Sequence, residues 1–164
     1  MIILACDSGL ERTGYAFFEA DQGSYNLLDY GCLFTSASLT TEQRFVQLHT
    51  QMLELVEKYN PEHCVLEKLF FSKNVTTAIA VAQAQGVIMQ LVAQRNATVS
   101  FLTPQEIKLT MTGYGNADKK SVQKMVKLLL QLDEVPQPDD TADAIACGYT
   151  YCTMMATYDR KNYR

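Results

Sequence analysis

The sequence predicts one α/β domain built on a five-stranded mixed sheet: three antiparallel strands, then two further strands, flanked by helices. Three observations support this. The chain has 164 residues, the length of a single domain. Its first third reads with a period of two, broken by short turns. From Thr41 the apolar period changes to about 3.6, and helix-like and strand-like stretches then alternate.

Ile2–Cys6 is a short apolar run with β-branched residues that delivers Asp7-Ser8-Gly9 at its carboxyl end, as a buried strand would. Tyr15–Glu19 follows the Thr13-Gly14 pair as a second strand. Asp21-Gln22-Gly23 is a hairpin turn, and Tyr25–Phe34 is a third strand. From Thr41, Phe45, Leu48, Met52, Leu55, Val56 and Tyr59 fall on one helical face that Asn60-Pro61 ends. His63–Glu67 is a fourth strand with a carboxylate at its end. A helix within Val75–Arg95 is apolar over more than one face, so it needs two neighbours, core and core or core and a partner subunit. Thr98–Leu102 is a fifth strand. Thr103-Pro104 opens a short helix that Gly113-Tyr114-Gly115 breaks. Asp118–Leu132 is a helix with Val122, Met125, Val126, Leu129 and Leu130 inside and Lys120, Lys124 and Lys127 along one stripe. After Pro136 and Pro138, Asp139–Met155 is the last helix. The predicted domain is 1–157, with 158–164 a polar basic tail that frays.

With 48% hydrophobic and 20% charged residues, the composition excludes intrinsic disorder. No apolar run approaches the ~20 residues of a membrane span, and the opening run lacks the basic flank of a signal peptide. The expectation is a cytoplasmic protein without a membrane partner. Cys6, Cys32, Cys64, Cys147 and Cys152 have neither disulfide nor zinc-site spacing and read as small buried hydrophobes.

The net charge of -4 hides a sharp division. Residues 1–67 hold three bases against ten acids, and residues 68–132 hold eight bases against two acids. A middle segment this basic can bind phosphate even in an acidic protein, unless it is only a solvated face. The acids elsewhere suit a metal site. Asp7 and Glu67 end two strands, and Asp143 lies among Ala142, Ala144, Ile145 and Ala146 on the last helix. Asp140 is three residues before it and Asp139 four, so helical spacing permits either partner. Read singly, Asp7 could be a turn former, Glu67 a residue just outside its strand, and Asp139 and Asp140 helix-start acids. Brought together, four carboxylates repel unless cations balance them. All-oxygen donors favour Mg²⁺ or Mn²⁺, and two such ions would support phosphodiester hydrolysis.

Several segments in this order, Asp7-Ser8-Gly9 with Thr13-Gly14-Tyr15, Glu67-Lys68-Leu69-Phe70-Phe71-Ser72-Lys73-Asn74, Gln83-Ala84-Gln85-Gly86, Gly113 through Lys119 and Pro138 through Ala146, resemble the RuvC-type Holliday-junction resolvases of the ribonuclease H-like superfamily. The string Asp7–Gly14 also resembles the first phosphate loop of actin-like and sugar-kinase ATPases, but this chain is too short for their two-domain arrangement.

The resolvase resemblance implies a ribonuclease H-like fold and a homodimer that resolves four-way DNA junctions by symmetric, metal-dependent nicks leaving 5′-phosphate and 3′-hydroxyl ends. It implies metal binding and catalysis by Asp7, Glu67, Asp140 and Asp143 with two Mg²⁺ per site, Mn²⁺ substituting, and it favours Asp140 over Asp139. By the same resemblance Lys108 and Lys119 act beside the acids and Phe70 stacks on bases near the junction centre. Phe71 is then the buried aromatic, while Lys73, Lys120, Lys124 and Lys127 suit backbone phosphates. A branch-migration motor is the partner the family implies. Ser8 and Leu10 stand where the family usually has Pro and Ser or Thr, which implies altered loop stiffness. The alternatives are a related ribonuclease H-like nuclease acting on structured RNA, and a non-catalytic junction-binding dimer.

Overall fold

The computed structural model describes residues 1–69 and 75–162. Its strands are β1 (Ile2–Asp7), β2 (Arg12–Asp21), β3 (Ser24–Phe34), β4 (His63–Glu67) and β5 (Thr98–Leu102). Its helices are α1 (Thr41–Tyr59), α2 (Val75–Ala93), α3 (Pro104–Thr112), α4 (Lys119–Leu129) and α5 (Asp139–Asn162). The sheet order is β3-β2-β1-β4-β5. The β1–β2 and β2–β3 pairs are antiparallel, and β1–β4 and β4–β5 are parallel. The predicted meander and the two added strands are therefore present.

Side chains of a strand alternate between faces, and here each face has its own core. Ile3 and Ala5 of β1, Ala16 and Phe18 of β2, Val65 of β4 and Leu102 of β5 pack with α3, α4 and α5. Leu4, Cys6, Phe17, Cys64 and Leu66 pack on the other face with Met52 and Val56 of α1 and Ile88, Leu91 and Val92 of α2. Both faces of β1 are thus covered, which explains its unbroken apolar run. The predicted inner face of α1 holds, with Leu48, Met52 and Val56 buried.

Helix ends follow their local chemistry. Thr40 and Gln43 form a capping box at the start of α1, and Asn60 closes it in the left-handed conformation with φ 46°. Thr103 and Glu106 do the same for α3, with Pro104 in the first turn.

Four expectations need correction. β2 begins at Arg12 and ends at Asp21, longer than Tyr15–Glu19, because it pairs along its whole length with β3. α4 stops at Leu129 and leaves Leu129 38% exposed, so the inner face is Val122 and Val126, with Met125 and the capping Leu130 partly covered against the same core. Cys32 is only half-buried, since β3 is an edge strand, while the other four cysteines are buried. α5 continues through residues 158–162, where a frayed tail was expected, because Tyr149–Asn162 contains no Pro or Gly to stop it.

Candidate active site

The alternation that builds the core also aims the acids. Asp7 has the parity of Ile3 and Ala5, and Glu67 that of Val65, so both turn toward the face that α5 covers. Cys6 pairs with Leu66 in the parallel β1–β4 ladder, which places the two carboxylates side by side at the carboxyl edge of adjacent strands. Asp7 pairs on its other side with Gly14.

α5 lies close against this edge because two glycines admit it. A Cβ on Gly14 would come within 1.9 Å of the Asp140 carbonyl oxygen, and one on Gly148 within 2.4 Å of the Phe18 ring. Gly14 therefore lets the first turn of α5, with Asp139, Asp140 and Asp143, rest on the strand beside Asp7. Between the two contacts Ala142, Ala144, Ile145 and Ala146 are fully buried.

Two cations lace the acids together. Lys119, the first residue of α4, donates to Asp139 Oδ2 and Asp143 Oδ2, each at 2.7 Å. Arg12, at the start of β2, places Nε 3.1 Å from Asp140 Oδ2 and Nη1 3.6 Å from Asp139 Oδ1. The Arg12–Asp140 contact lacks hydrogen-bond alignment, and Asp140 Oδ2 is buried with no hydrogen-bond partner. Its lone pairs remain available to a further positive group.

The electrostatics are those of a crowded anionic site. Burial first, then the charges of Asp143, Glu67 and Asp140, push the Asp7 carboxyl up to about 7 against the pull of Lys119. Burial and Asp143 also raise Glu67, opposed by Lys108 and Lys119. Asp143 is raised by burial, with Lys119 opposing, and Asp140 is raised by burial, with Arg12 among the groups opposing. Burial alone would lower the Lys119 ammonium, but its bonds to Asp139 and Asp143 outweigh this and hold it above its ordinary value.

Two cavities meet at Glu67. One, of about 220 Å³, is lined by Glu67, Lys108, Lys119 and Asp143. The other, of about 320 Å³, is lined by Asp7, Ser8, Glu67, Lys68 and Gln85. The all-oxygen donors, the mutual repulsion of the acids and the buried Asp140 Oδ2 without a hydrogen bond fit a hard divalent cation. Among the described residues, no three of these acids as they stand are near enough to enclose one ion. Lys119 and Arg12 supply balancing charge to Asp139, Asp140 and Asp143.

The structure thus brings Asp7, Glu67, Asp140, Asp143, Lys108 and Lys119 to one edge of the sheet. Lys120 and Lys124 are exposed and Lys127 half-buried on α4, the helix that Lys119 opens. Phe70, Phe71 and Lys73 lie outside the described residues. Two contributors escaped the sequence reading. Arg12 stood out only as part of a loop, and its role depends on the β2 register. Gln85, from α2, donates its side-chain amide to the Glu67 carbonyl at 2.8 Å and fixes the end of β4. The Gln83–Gly86 segment marked this residue without giving it a task.

Comparison with known proteins places the chain among its relatives. The profile described as crossover junction endodeoxyribonuclease RuvC matches residues 3–151. The proteins of that name from Halothermothrix orenii and Petrotoga mobilis are 46% and 39% identical to this chain. The first alignment covers 89% of this chain and 88% of the relative, and the second covers 99% and 100%. The solved Thermus thermophilus RuvC is 25% identical with a TM-score of 0.86, covering 97% of this chain and 98% of that one. A second solved form of that protein, in complex with Holliday junction substrate, has a TM-score of 0.85 at 27% identity over 95% of this chain and 97% of that one. The chain belongs to the crossover junction endodeoxyribonuclease RuvC family.

Proposed function

We propose that this chain resolves four-way DNA junctions and that the edge where β1 and β4 meet the start of α5 is its active site. As a member of its family it is a Mg²⁺-dependent endodeoxyribonuclease. The assignment of individual residues rests chiefly on one observation. Two strand-end acids with inward parity face the first turn of α5 beside Lys119.

Asp7, Glu67, Asp140 and Asp143 would hold the metal, two ions per site, with Mn²⁺ as a substitute. A metal held by these acids would supply water activation and charge neutralisation at the scissile phosphate. The chain's own groups do the rest. Lys119 and Lys108 line the mouth of the site and hold the non-bridging phosphate oxygens, stabilising charge that grows during attack. Lys120, Lys124 and Lys127 extend that positive surface along α4, where they meet backbone phosphates and set register rather than sequence choice. Phe70 and Lys73, directly beyond β4, complete the DNA-binding set by stacking and phosphate contact.

The reading includes a homodimer. The outward face of α2 exposes Ile79, 50% accessible, together with Ala82 and Gly86. A two-fold enzyme suits a junction with two strands to cut. A branch-migration motor is the partner expected to deliver such junctions. A cytoplasmic setting agrees with the free state of the five cysteines, and no described helix is long and apolar enough to cross a membrane.

The test is a cleavage assay with Mg²⁺ on a four-way junction and on linear duplex of the same sequence. Paired nicks in the junction, at rates on the order of 100-fold above duplex, are expected. Equal cutting of both substrates, or cutting of structured RNA alone, would contradict the reading.

A further inference from the structure

Asp139 is the acid that helical spacing alone could not separate from Asp140. Its carboxylate meets two cations of the site, Lys119 Nζ at 2.7 Å and Arg12 Nη1 at 3.6 Å. Lys119 also reaches Asp143 at 2.7 Å, and Arg12 also reaches Asp140 at 3.1 Å. The five groups form one chain of alternating charge, Asp143, Lys119, Asp139, Arg12 and Asp140, with Asp139 at its centre. The chain ties the start of β2 and the start of α4 to the first turn of α5. Lys119 occupies the first position of α4, where the helix dipole disfavours a cation. Its placement there is offset by its two carboxylate partners. Asp139 is 40% exposed and Asp143 21%, so Asp139 is the outer partner and Asp143 the inner one.

We propose that Asp139 is a positioning residue: it gives Lys119 and Arg12 a second carboxylate, outside the acid set, so that a divalent ion can displace them from Asp143 and Asp140 without driving either cation away. With a single partner each, both cations would hold the inner acids more tightly and compete with the metal. With Asp139 present they shift outward by one contact and remain at the mouth of the site, where a phosphate arrives. Arg12 can touch both acids at once because its guanidinium is a fork. This inference rests on the active-site reading above and adds to it the way that site accepts its metal.

The measurement is Mn²⁺ affinity of the DNA-free protein, read by electron paramagnetic resonance. Asp139→Asn is made in the natural chain and in a Lys119→Met, Arg12→Met background. In the natural chain the dissociation constant is expected to rise about fivefold. In the Lys119→Met, Arg12→Met background the same substitution changes it by less than about twofold. Asp139→Glu, which keeps the charge, restores the natural value to within about twofold. An equal rise in both backgrounds would show that Asp139 is merely one more acid near the metal. No rise in either would show that the clamp is idle. Both results overturn the proposal, and thermal melts confirm that each variant is folded. Failure of the active-site reading has a separate signature, an Asp7→Asn protein that binds Mn²⁺ as tightly as the natural chain.

Discussion

Asp7→Asn is expected to abolish junction cleavage, by on the order of 10³-fold, and at the same time to make the metal-free protein more stable at pH 8. Burial and three neighbouring acids raise the Asp7 carboxyl from 3.8 to about 7. For an acid raised on folding, the native state binds more protons than the unfolded chain between those two values, so stability falls as pH rises through that window. Above about pH 7 the full cost of holding Asp7 ionised is present, up to about 4 kcal/mol for a shift of this size. Below about pH 4 it is absent. Asparagine keeps the shape and removes the charge. The melting temperature of Asp7→Asn in chelator should therefore exceed that of the natural chain at pH 8, with the gap closing toward pH 4. A variant less stable at pH 8 would mean that the Asp7 charge is satisfied structurally, and its assignment to metal chemistry would fail. Junction affinity should change little, because Asp7 lies among acids rather than among the lysines proposed to meet phosphate.

Gly14→Ala should be the most damaging single methyl group in the molecule. Its Cβ would sit 1.9 Å from the Asp140 carbonyl oxygen and 3.0 Å from the Thr141 amide nitrogen, both backbone atoms that cannot rotate away. Either the strand or the first turn of α5 must move. Overpacking of this kind costs about 3 kcal/mol, seen as a lower urea midpoint. The same movement carries Asp140 and Asp143 away from Asp7, so cleavage should fall on the order of 100-fold in the folded fraction. Gly115→Ala is the stability control. Its new Cβ would find only the Gln105 carbonyl at 3.8 Å, and stability should change by less than about 0.5 kcal/mol. A Gly14→Ala protein of natural stability and activity would show that α5 does not depend on this close approach.

Much of this site was legible in the sequence because strands have a period of two. Ile3, Ala5 and Asp7 share one face, and so do Val65 and Glu67, so the core residues announce where the strand-end acids point. Asp143 stood out because its neighbours are small and apolar. What stayed hidden depends on register and helix approach. Asp139 and Asp140 both lie within one turn of Asp143, and only the seating of α5 on Gly14 separates an outer acid from an inner one. Arg12 joins them only because β2 starts three residues earlier than its apolar pattern suggests. Gln85 acts through the backbone of Glu67, a link that no spacing rule between distant segments can express. The reach of α5 to Asn162 was missed because polar residues dominate its last turns, although nothing there breaks a helix.

The most direct test is to locate Mn²⁺ by its anomalous scattering in crystals of the natural chain grown without DNA. The account predicts density between Asp7 and Glu67 on one side and Asp140 and Asp143 on the other, with Lys119 drawn toward Asp139. Manganese bound elsewhere on the surface, or held by Asp139 in place of Asp140, would contradict it.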